Sequence, residues 1–474
     1  MAPALGRRAA LLSAAALLPA CAQLTPPATT SGIGLPGRLA AADPASPPEW
    51  PAPDWWRGFG APELDTLMAV AMAANTDIAA AIARVRQADA QLRINGAALL
   101  PAVDLDLQAA RQQTGGVSSA SLGGLAGRRI RVTSSNRALL SASYEFDFWG
   151  KNRAAVEAAE RVALANRFDV GTVMLTTQAS VANTYFALLG AQERLALQRQ
   201  NLEIAQRVLR AIRERVAVGT GTGLELAQQE TVAAQQEALI PPLVQEVETN
   251  RNSLGTLVAR PPQFIAVEGG VFNRLVVPPV APGLPAEMLV RRPDVLNAEA
   301  VLAAANANIV VARAQLLPSI TLTASGGYSS LALETLTRPE SLVFTLAGGL
   351  VQPIFRGGAL RGQVRLREAE AEELLAIYRF AILNALVDTE NALVALRQTT
   401  EQEALQANAV RMAERSYAIS EAQLRAGTID LITLLNTQQT LFSARNTLAQ
   451  ARLARLQAAV GLFRALGGGW GSPA

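Results

Sequence analysis

Residues 99–107 read Leu99-Leu100-Pro101-Ala102-Val103-Asp104-Leu105-Asp106-Leu107, and residues 316–324 answer them as Leu316-Leu317-Pro318-Ser319-Ile320-Thr321-Leu322-Thr323-Ala324. After each proline, apolar and polar residues alternate with the period of two that gives a β-strand two different faces. Val103, Leu105, Leu107 and Ala109 form one face, and Asp104, Asp106, Gln108 and Ala110 the other. Leu140, Ala142, Tyr144, Phe146 and Phe148 then alternate with Ser141, Ser143, Glu145 and Asp147. In the second half Ile320, Leu322 and Ala324 alternate with Ser319, Thr321, Thr323 and Ser325, and Leu342, Phe344, Leu346 and Leu350 alternate with smaller residues. Four amphipathic strands of roughly 10 residues are expected, the length that membrane barrels use. A small soluble sheet packed on helices is the plainer reading, but a face carrying Asp104, Asp106, Glu145 and Asp147 needs water while its opposite needs oil.

Four strands cannot close a membrane barrel, because bacterial single-chain barrels start at about eight. An open edge in lipid is excluded, since each unpaired N–H and C=O costs several kcal/mol there. Copies of the chain must therefore pool their strands. Two copies would give eight strands and three would give 12, and the count leaves both open.

The duplication organises the chain. The two strand openings lie 217 residues apart, Phe148-Trp149-Gly150 answers Ile354-Phe355-Arg356 at 206, and Val218-Gly219-Thr220 answers Ala426-Gly427-Thr428 at 208. The first drop of 11 predicts a longer loop in the first copy, in the Gly/Ser-rich stretch around Thr114–Asn136. Between the strands the chain predicts helix on a large scale. No proline falls between Ala102 and Ile240 or between Ile354 and Ser472, and residues 151–218 and 359–426 hold two glycines and one. At 1.5 Å per residue each stretch would run about 100 Å. Leu375, Tyr378, Ile382, Ala385, Thr389, Ala392 and Leu396 recur at alternating spacings of 3 and 4, a coiled-coil seam.

Composition excludes much chemistry. The 474 residues contain no histidine and one cysteine, Cys21, and all basic residues but Lys151 are arginine. Histidine-based triads, thiolate metal clusters and disulfides fall away, and Lys151 follows no phosphate-binding loop. No enzyme and no cofactor are expected. The 42 basic and 39 acidic residues interleave, which predicts a solvated surface of mixed sign rather than a nucleic-acid face.

The N-terminus reads as an address. Arg7 and Arg8 precede an apolar run from Ala9 to Leu18, too short to span a bilayer, and Leu18-Pro19-Ala20-Cys21 resembles the bacterial lipoprotein signal. Residues 1–20 are expected to be removed and Cys21 to carry the lipid, such as palmitate; loss of Arg7 and Arg8 leaves a formal charge of +1. Nine of the 25 prolines lie between Ala22 and Pro62, so residues 21–62 read as an extended tether. Trp50, Trp55, Trp56 and Phe59 at its end would sit at a membrane interface or pack the tether against the body, with the second favoured.

The chain resembles the TolC-like outer-membrane factors, in particular the lipoprotein (NodT-type) branch of resistance–nodulation–division efflux systems. The resemblance spans about residues 45–466 and rests on Trp55-Trp56-x-x-Phe59, Asn75-x-Asp77, Leu100-Pro101, Asp147-Phe148-Trp149-Gly150, Arg291-Arg292-Pro293-Asp294 and Gln352-Pro353-Ile354-Phe355, with two tip turns. It implies a mainly α protein with a membrane β-barrel: a homotrimer whose 12-stranded barrel continues as a 12-helix periplasmic tunnel. It also implies an outer-membrane location, a periplasmic adaptor and an inner-membrane pump as partners, and passive conduction of small molecules. Type I protein secretion and metal-ion export are alternatives within that class, and a lipid-anchored scaffold without a pore is an alternative outside it.

The expected organisation is a signal at 1–20, the tether at 21–62, repeats at 63–260 and 285–466, a linker at 261–284 and a tail at 467–474. By the resemblance, Gly219, Thr220, Gly221, Gly223 and Leu224 with Gly427, Thr428 and Asp430 form the adaptor-facing tips. Asp104, Asp106, Glu145 and Asp147 would face the barrel lumen. Acidic residues often ring the pore inside the second tip of such proteins, but Thr433 and Asn436 stand at the matching positions here. A neutral constriction through Ile432, Thr433, Leu435 and Asn436 is expected, with Asp430 as a substitute acid.

Overall fold

The computed structural model describes residues 30–41, 50–116, 129–269, 272–280 and 285–468, with the single residues 24 and 470. Cys21 and the expected signal lie outside the described residues. The chain runs α1 (Pro62–Ala74), α2 (Thr76–Ala97), β1 (Ala102–Gly116), β2 (Arg129–Phe146), α3 (Lys151–Ala217), α4 (Gly223–Ala238) and α5 (Ile240–Leu257). It continues through α6 (Pro285–Leu289), α7 (Pro293–Ala314), β3 (Ser319–Ser330), β4 (Leu342–Val351), α8 (Ala359–Arg425) and α9 (Leu431–Ala465). These elements group into two units, one holding residues 86–164 and 299–377, the other 32–85, 165–298 and 378–474.

The first unit is built on the sheet. Its four strands lie in the order β1-β2-β3-β4, every neighbour antiparallel. The two hairpins predicted from the alternation thus join through β2 and β3 into one sheet with two free edges, β1 and β4. Register sorts the side chains cleanly. Leu105 pairs with Leu140, Leu140 with Gly326 and Gly326 with Phe344, while Asp104 pairs with Ser141, Ser141 with Ser325 and Ser325 with Thr345. Paired residues share a face. Over Val103–Ala109, Ala138–Phe146, Ile320–Tyr328 and Leu342–Leu350 one face is therefore apolar, and the other carries carboxylates and hydroxyls. Val103, Leu105, Leu107, Leu140, Phe344 and Leu346 are all more than half exposed, so the apolar face is bare.

The stretch 117–128, where a longer loop was expected, lies outside the described residues, and the described strands already differ between the copies. The strands β1 and β2 hold 15 and 18 residues, against 12 and 10 in β3 and β4. The first hairpin is simply taller. Behind the sheet Trp149 Nε1 donates to the Pro318 carbonyl at 2.8 Å, tying the start of α3 to the turn before β3.

In the second unit the main core gathers around α3. Trp55 stacks on Phe463 with ring centroids 5.0 Å apart, and Phe59 meets Phe186 at 4.9 Å. The tryptophan-rich segment therefore packs on the body. Asn75 opens α2 by accepting from the Asp77 and Ile78 N–H groups, and its amide donates to the Leu257 carbonyl at 2.8 Å. Part of the expected tether is also docked. Leu39 is fully buried, and the N–H groups of Ala40 and Ala41 donate to the Glu390 carboxylate, the second at 2.9 Å. Two backbone donors on one carboxylate, with an apolar side chain beside them, hold a segment that its proline content alone predicted to be an extended tether.

Both long helices contain 67 residues, one fewer than the uninterrupted stretches, because Val218 and Ala426 already belong to the turns. Along α8 the seam is buried at Ile382, Ala385 and Thr389, where it meets Met288 of α6 and Leu462 of α9.

Candidate functional site

The tips are formed by one turn used twice. At the end of α3 the Gly219 N–H donates to the Val216 carbonyl and the Thr220 N–H to the Arg215 carbonyl. At the end of α8 the Gly427 N–H donates to Leu424 and the Thr428 N–H to Gln423. This crossed pair is the Schellman arrangement, which requires a left-handed residue at its corner. Gly219 and Gly427 supply it with φ of 79° and 72°. Each following threonine adds a hydroxyl bond of 3.1 Å to the same carbonyl that its N–H uses. No atom lies within 4 Å of a Cβ built on either glycine, so backbone conformation alone calls for glycine there. Gly221 differs: its Cβ would stand 3.0 Å from Val216 and 3.1 Å from that residue's nitrogen.

The next helix of each hairpin is capped by the same pair of positions with the chemistry reversed. Thr222 accepts from the Glu225 N–H at 3.1 Å while the Glu225 carboxylate accepts from the Thr222 N–H at 2.7 Å, a capping box. In the second tip Asp430 accepts from the Thr433 N–H at 2.9 Å and from its hydroxyl at 2.6 Å. Those two hydrogen bonds, hydroxyl first, hold the Asp430 carboxyl below the ordinary carboxylate range.

The expected constriction residues have local contacts of their own. Asp430 and Thr433 are bonded to each other, so the acid is a helix cap and the threonine its donor. Leu435 is half-buried against the Val208, Ile212 and Leu434 cluster and is no free surface residue. Ile432 and Asn436 remain exposed, one turn apart on α9. Between the ends of α3 and α8 lies a groove of about 340 Å³ lined by Arg207, Ile212, Arg215, Glu421, Leu424 and Leu434.

On the sheet, Asp104, Asp106 and Glu145 lie on the polar face with Ser141, Ser143, Thr321 and Thr323. Arg137 shares that face, bonds Gln108 and stands 3.7 Å from Asp106. Extending the alternation of β2 four residues upstream would have found it. Glu145 is paired at 2.6 Å with Lys151, the chain's one lysine, a contact across a strand-to-helix turn that no periodicity reveals.

Asp147 departs from the expected set. It lies past the end of β2, and its carboxylate accepts from the N–H groups of Asn152 at 3.0 Å and Arg153 at 2.9 Å, with the Arg153 guanidinium at 3.2 Å. Burial works to raise its pKa, but these backbone and side-chain hydrogen bonds outweigh it and hold the carboxyl below its usual value. Asp147 starts α3. Phe148, read with the apolar face, likewise falls beyond the strand.

Arg292 was read only as a marker, and the structure gives it work. Nearly buried, it grips Asp294 with two bonds of 3.0 and 2.6 Å, reaches Asp388 at 3.3 Å and donates to the Ala465 carbonyl at 3.2 Å. It joins α7, α8 and the end of α9. Arg291 lies over the Trp50 ring at 4.6 Å. Among the described residues no group of three or more acidic or cysteine side chains is arranged to hold a metal ion.

The family described as outer membrane efflux protein matches residues 67–260 and 284–468, and the chain belongs to it. It is an outer-membrane channel subunit of an efflux system. The pyoverdine export outer membrane protein OpmQ of Pseudomonas putida is 41% identical over 472 residues, covering 98% of each chain. The toluene efflux pump outer membrane protein TtgF of Pseudomonas putida is 31% identical over 421 residues, 88% of this chain and 85% of its own. Among solved structures, the open state of the Neisseria gonorrhoeae MtrE outer membrane channel superposes with a TM-score of 0.84 at 26% identity, over 94% of this chain and 98% of that one.

Proposed function

We propose that this chain is the outer-membrane conduit through which a siderophore of the pyoverdine class leaves the cell. The observation that carries the reading is the match to a pyoverdine exporter at 41% identity over 98% of both chains, against 31% over 88% for the toluene pump component. Introduced into a Pseudomonas putida strain lacking its own OpmQ, the chain should restore fluorescent pyoverdine to the medium and lower the amount retained in the periplasm. Unchanged retention with normal outer-membrane levels of the chain would refute the substrate assignment. Protein secretion, metal-ion export and a poreless scaffold are the alternatives. Single-channel conductance in planar bilayers tests the last of these directly.

In the same reading three copies close the sheet edges of β1 and β4 into a 12-stranded barrel continued by a 12-helix tunnel. Asp104, Asp106 and Glu145 line its water-filled interior with Arg137, and the bare apolar face meets lipid. The tips at Gly219–Leu224 and Gly427–Asp430 receive a periplasmic adaptor that couples the channel to an inner-membrane pump. Ile432, Thr433 and Asn436 narrow the end of the pore. Cys21 carries the lipid after removal of residues 1–20, and the repeats occupy 63–260 and 285–466 around the 261–284 linker, with 467–474 as a tail. Mass in detergent of roughly three mature chains supports the trimer, and a two-chain particle with full conductance overturns it. Palmitate labelling of the wild type but not of Cys21→Ser supports the anchor, and equal labelling of both removes it.

A further inference from the structure

The passage from β4 into α8 carries charge of one sign. From Ser341 to Arg367 the chain holds four arginines, Arg356, Arg361, Arg365 and Arg367, and no acid. Arg367 is paired with Glu370 at 2.7 Å. Arg356, Arg361 and Arg365 are exposed, and among the described residues none pairs with their guanidinium groups. Directly before them stand Ile354 and Phe355, which are 89% and 88% exposed. Both kinds of residue share one groove of about 440 Å³, lined by Leu316, Ile354, Phe355, Arg356, Leu360 and Arg361. Among the described residues no carboxylate lines it.

The first copy shows that the fold does not require such a groove. Over residues 145–160 four acids accompany two bases. Counted from the helix starts, Arg153 stands at the position of Arg361 and is held by Asp147 at 3.2 Å, while Glu157 stands at that of Arg365. Lys151 is likewise held by Glu145 at 2.6 Å. Arg356 also borders the pocket that contains Glu145 and Asp147, but Lys151 occupies the first carboxylate and the start of α3 the second. The second junction therefore keeps uncompensated positive charge beside bare apolar side chains. That pairing complements a molecule that joins a phosphate anion to an acyl chain. The place agrees with the charge. The groove follows the end of β4, where the bare apolar face of the sheet stops at Leu350 and the chain passes into helix. This is the periplasmic rim of the sheet.

We propose that this groove binds an anionic phospholipid of the periplasmic leaflet, with Arg356 and Arg361 on its phosphate and Ile354 and Phe355 against the first acyl carbons. Arg365, one turn further along α8, adds to the positive field. The proposal rests on the reading that the apolar sheet face meets lipid, and the experiment separates the two.

The full chain is first reconstituted with phosphatidylcholine vesicles and floated on a density gradient. Chain purified in detergent is then incubated with radiolabelled phosphatidylglycerol, and the lipid retained per chain after gel filtration is counted. The wild type should retain about tenfold more than an Arg356→Gln, Arg361→Gln double variant. An Arg199→Gln, Arg210→Gln variant, which removes the same charge from exposed positions of α3, should retain as much as the wild type. Unlabelled phosphatidylglycerol should displace the label, whereas phosphatidylcholine and millimolar inorganic phosphate should not. Equal retention by the wild type and the groove variant overturns the site, as does an equal loss in the α3 variant. Displacement by phosphatidylcholine overturns it in favour of apolar adsorption, and displacement by inorganic phosphate in favour of a site for free anions. If the wild type does not float with the vesicles, the lipid-facing reading fails and the site with it. Both competition arms use the wild type alone, so the test stays decisive should the glutamine variant fail to assemble.

Discussion

Set side by side, the two repeats agree in their long helices and tip turns and differ in their returning helices, their caps and the cover of their helix faces. Both long helices have 67 residues, and both end in a Schellman turn on a glycine three residues before the next N-cap. Yet the first helix returns as α4 and α5, interrupted at Leu239 ahead of Pro241 and Pro242, whereas the second returns as the single 35-residue α9. One tip is capped by Thr222 with Glu225, the other by Asp430 with Thr433. On α3 a face is filled by aromatic packing, and on α8 the equivalent face is open. A left-handed corner favours glycine, whereas a helix face accepts whatever covers it. The two repeats thus share their turns, while the face buried around Phe186 in the first is exposed at Val394 in the second.

The sharpest way to break this contrast is to cut the same position in both copies. Phe186→Ala should lower the stability of the chain by about 3–5 kcal/mol, since Phe186 is fully buried. Val394→Ala should change the dissociated chain by no more than about 0.5 kcal/mol. Chemical unfolding of each variant checks both values, and equal losses would mean that the two faces are not differently covered.

Next in size is Arg292→Ala, which leaves Asp294 and Asp388 without their shared cation and frees the Ala465 carbonyl. Because both carboxylates keep about a third of their exposure, the expected loss is about 2–3 kcal/mol. Thermal unfolding in detergent reads it, and Arg292→Lys should recover only part, because one ammonium cannot reproduce the two-pronged grip on Asp294.

At the tips the copies should behave alike. Gly219→Ala and Gly427→Ala place a Cβ in open space but force a non-glycine residue into the left-handed region, costing about 1–2 kcal/mol at either site. Asparagine at either position should cost less. A larger loss at one tip than at the other would break the equivalence of the turns.

The caps should divide them again by the smallest margin. Thr222→Ala removes a capping box and should cost about 1 kcal/mol. The second tip depends on an ionised Asp430 whose folded pKa is depressed. Its contribution is complete above the ordinary carboxylate pKa of about 4 and fades as pH falls through the lower folded value. The protection of the Thr433 N–H, as its exchange rate relative to the intrinsic rate at each pH, should therefore fall in acid in the wild type, and Asp430→Asn should abolish that fall.

Much of this was legible beforehand. Alternation marked all four strands, and the absence of proline bounded both long helices to within a residue. What escaped shares a cause. Asp147 fits the alternation as well as Glu145 does, and only the N–H groups of Asn152 and Arg153 show that its carboxylate belongs to the helix start. The seating of Leu435 depended on Leu434 and its neighbours, and the docked tether on Glu390, some 350 residues away.

By itself the sequence determined the periodic elements: two-faced strands, uninterrupted helices and glycine corners. Each follows from the stereochemistry of a few adjacent residues, whose periods of 2 and 3.6 and whose φ limits hold in any context. Tertiary structure alone decided that β2 pairs with β3, that the first hairpin has the longer strands, and that one long helix is covered where its copy is bare. Those outcomes depend on which distant groups meet. A periodic pattern states that a face must be buried, and only the packed chain supplies what buries it.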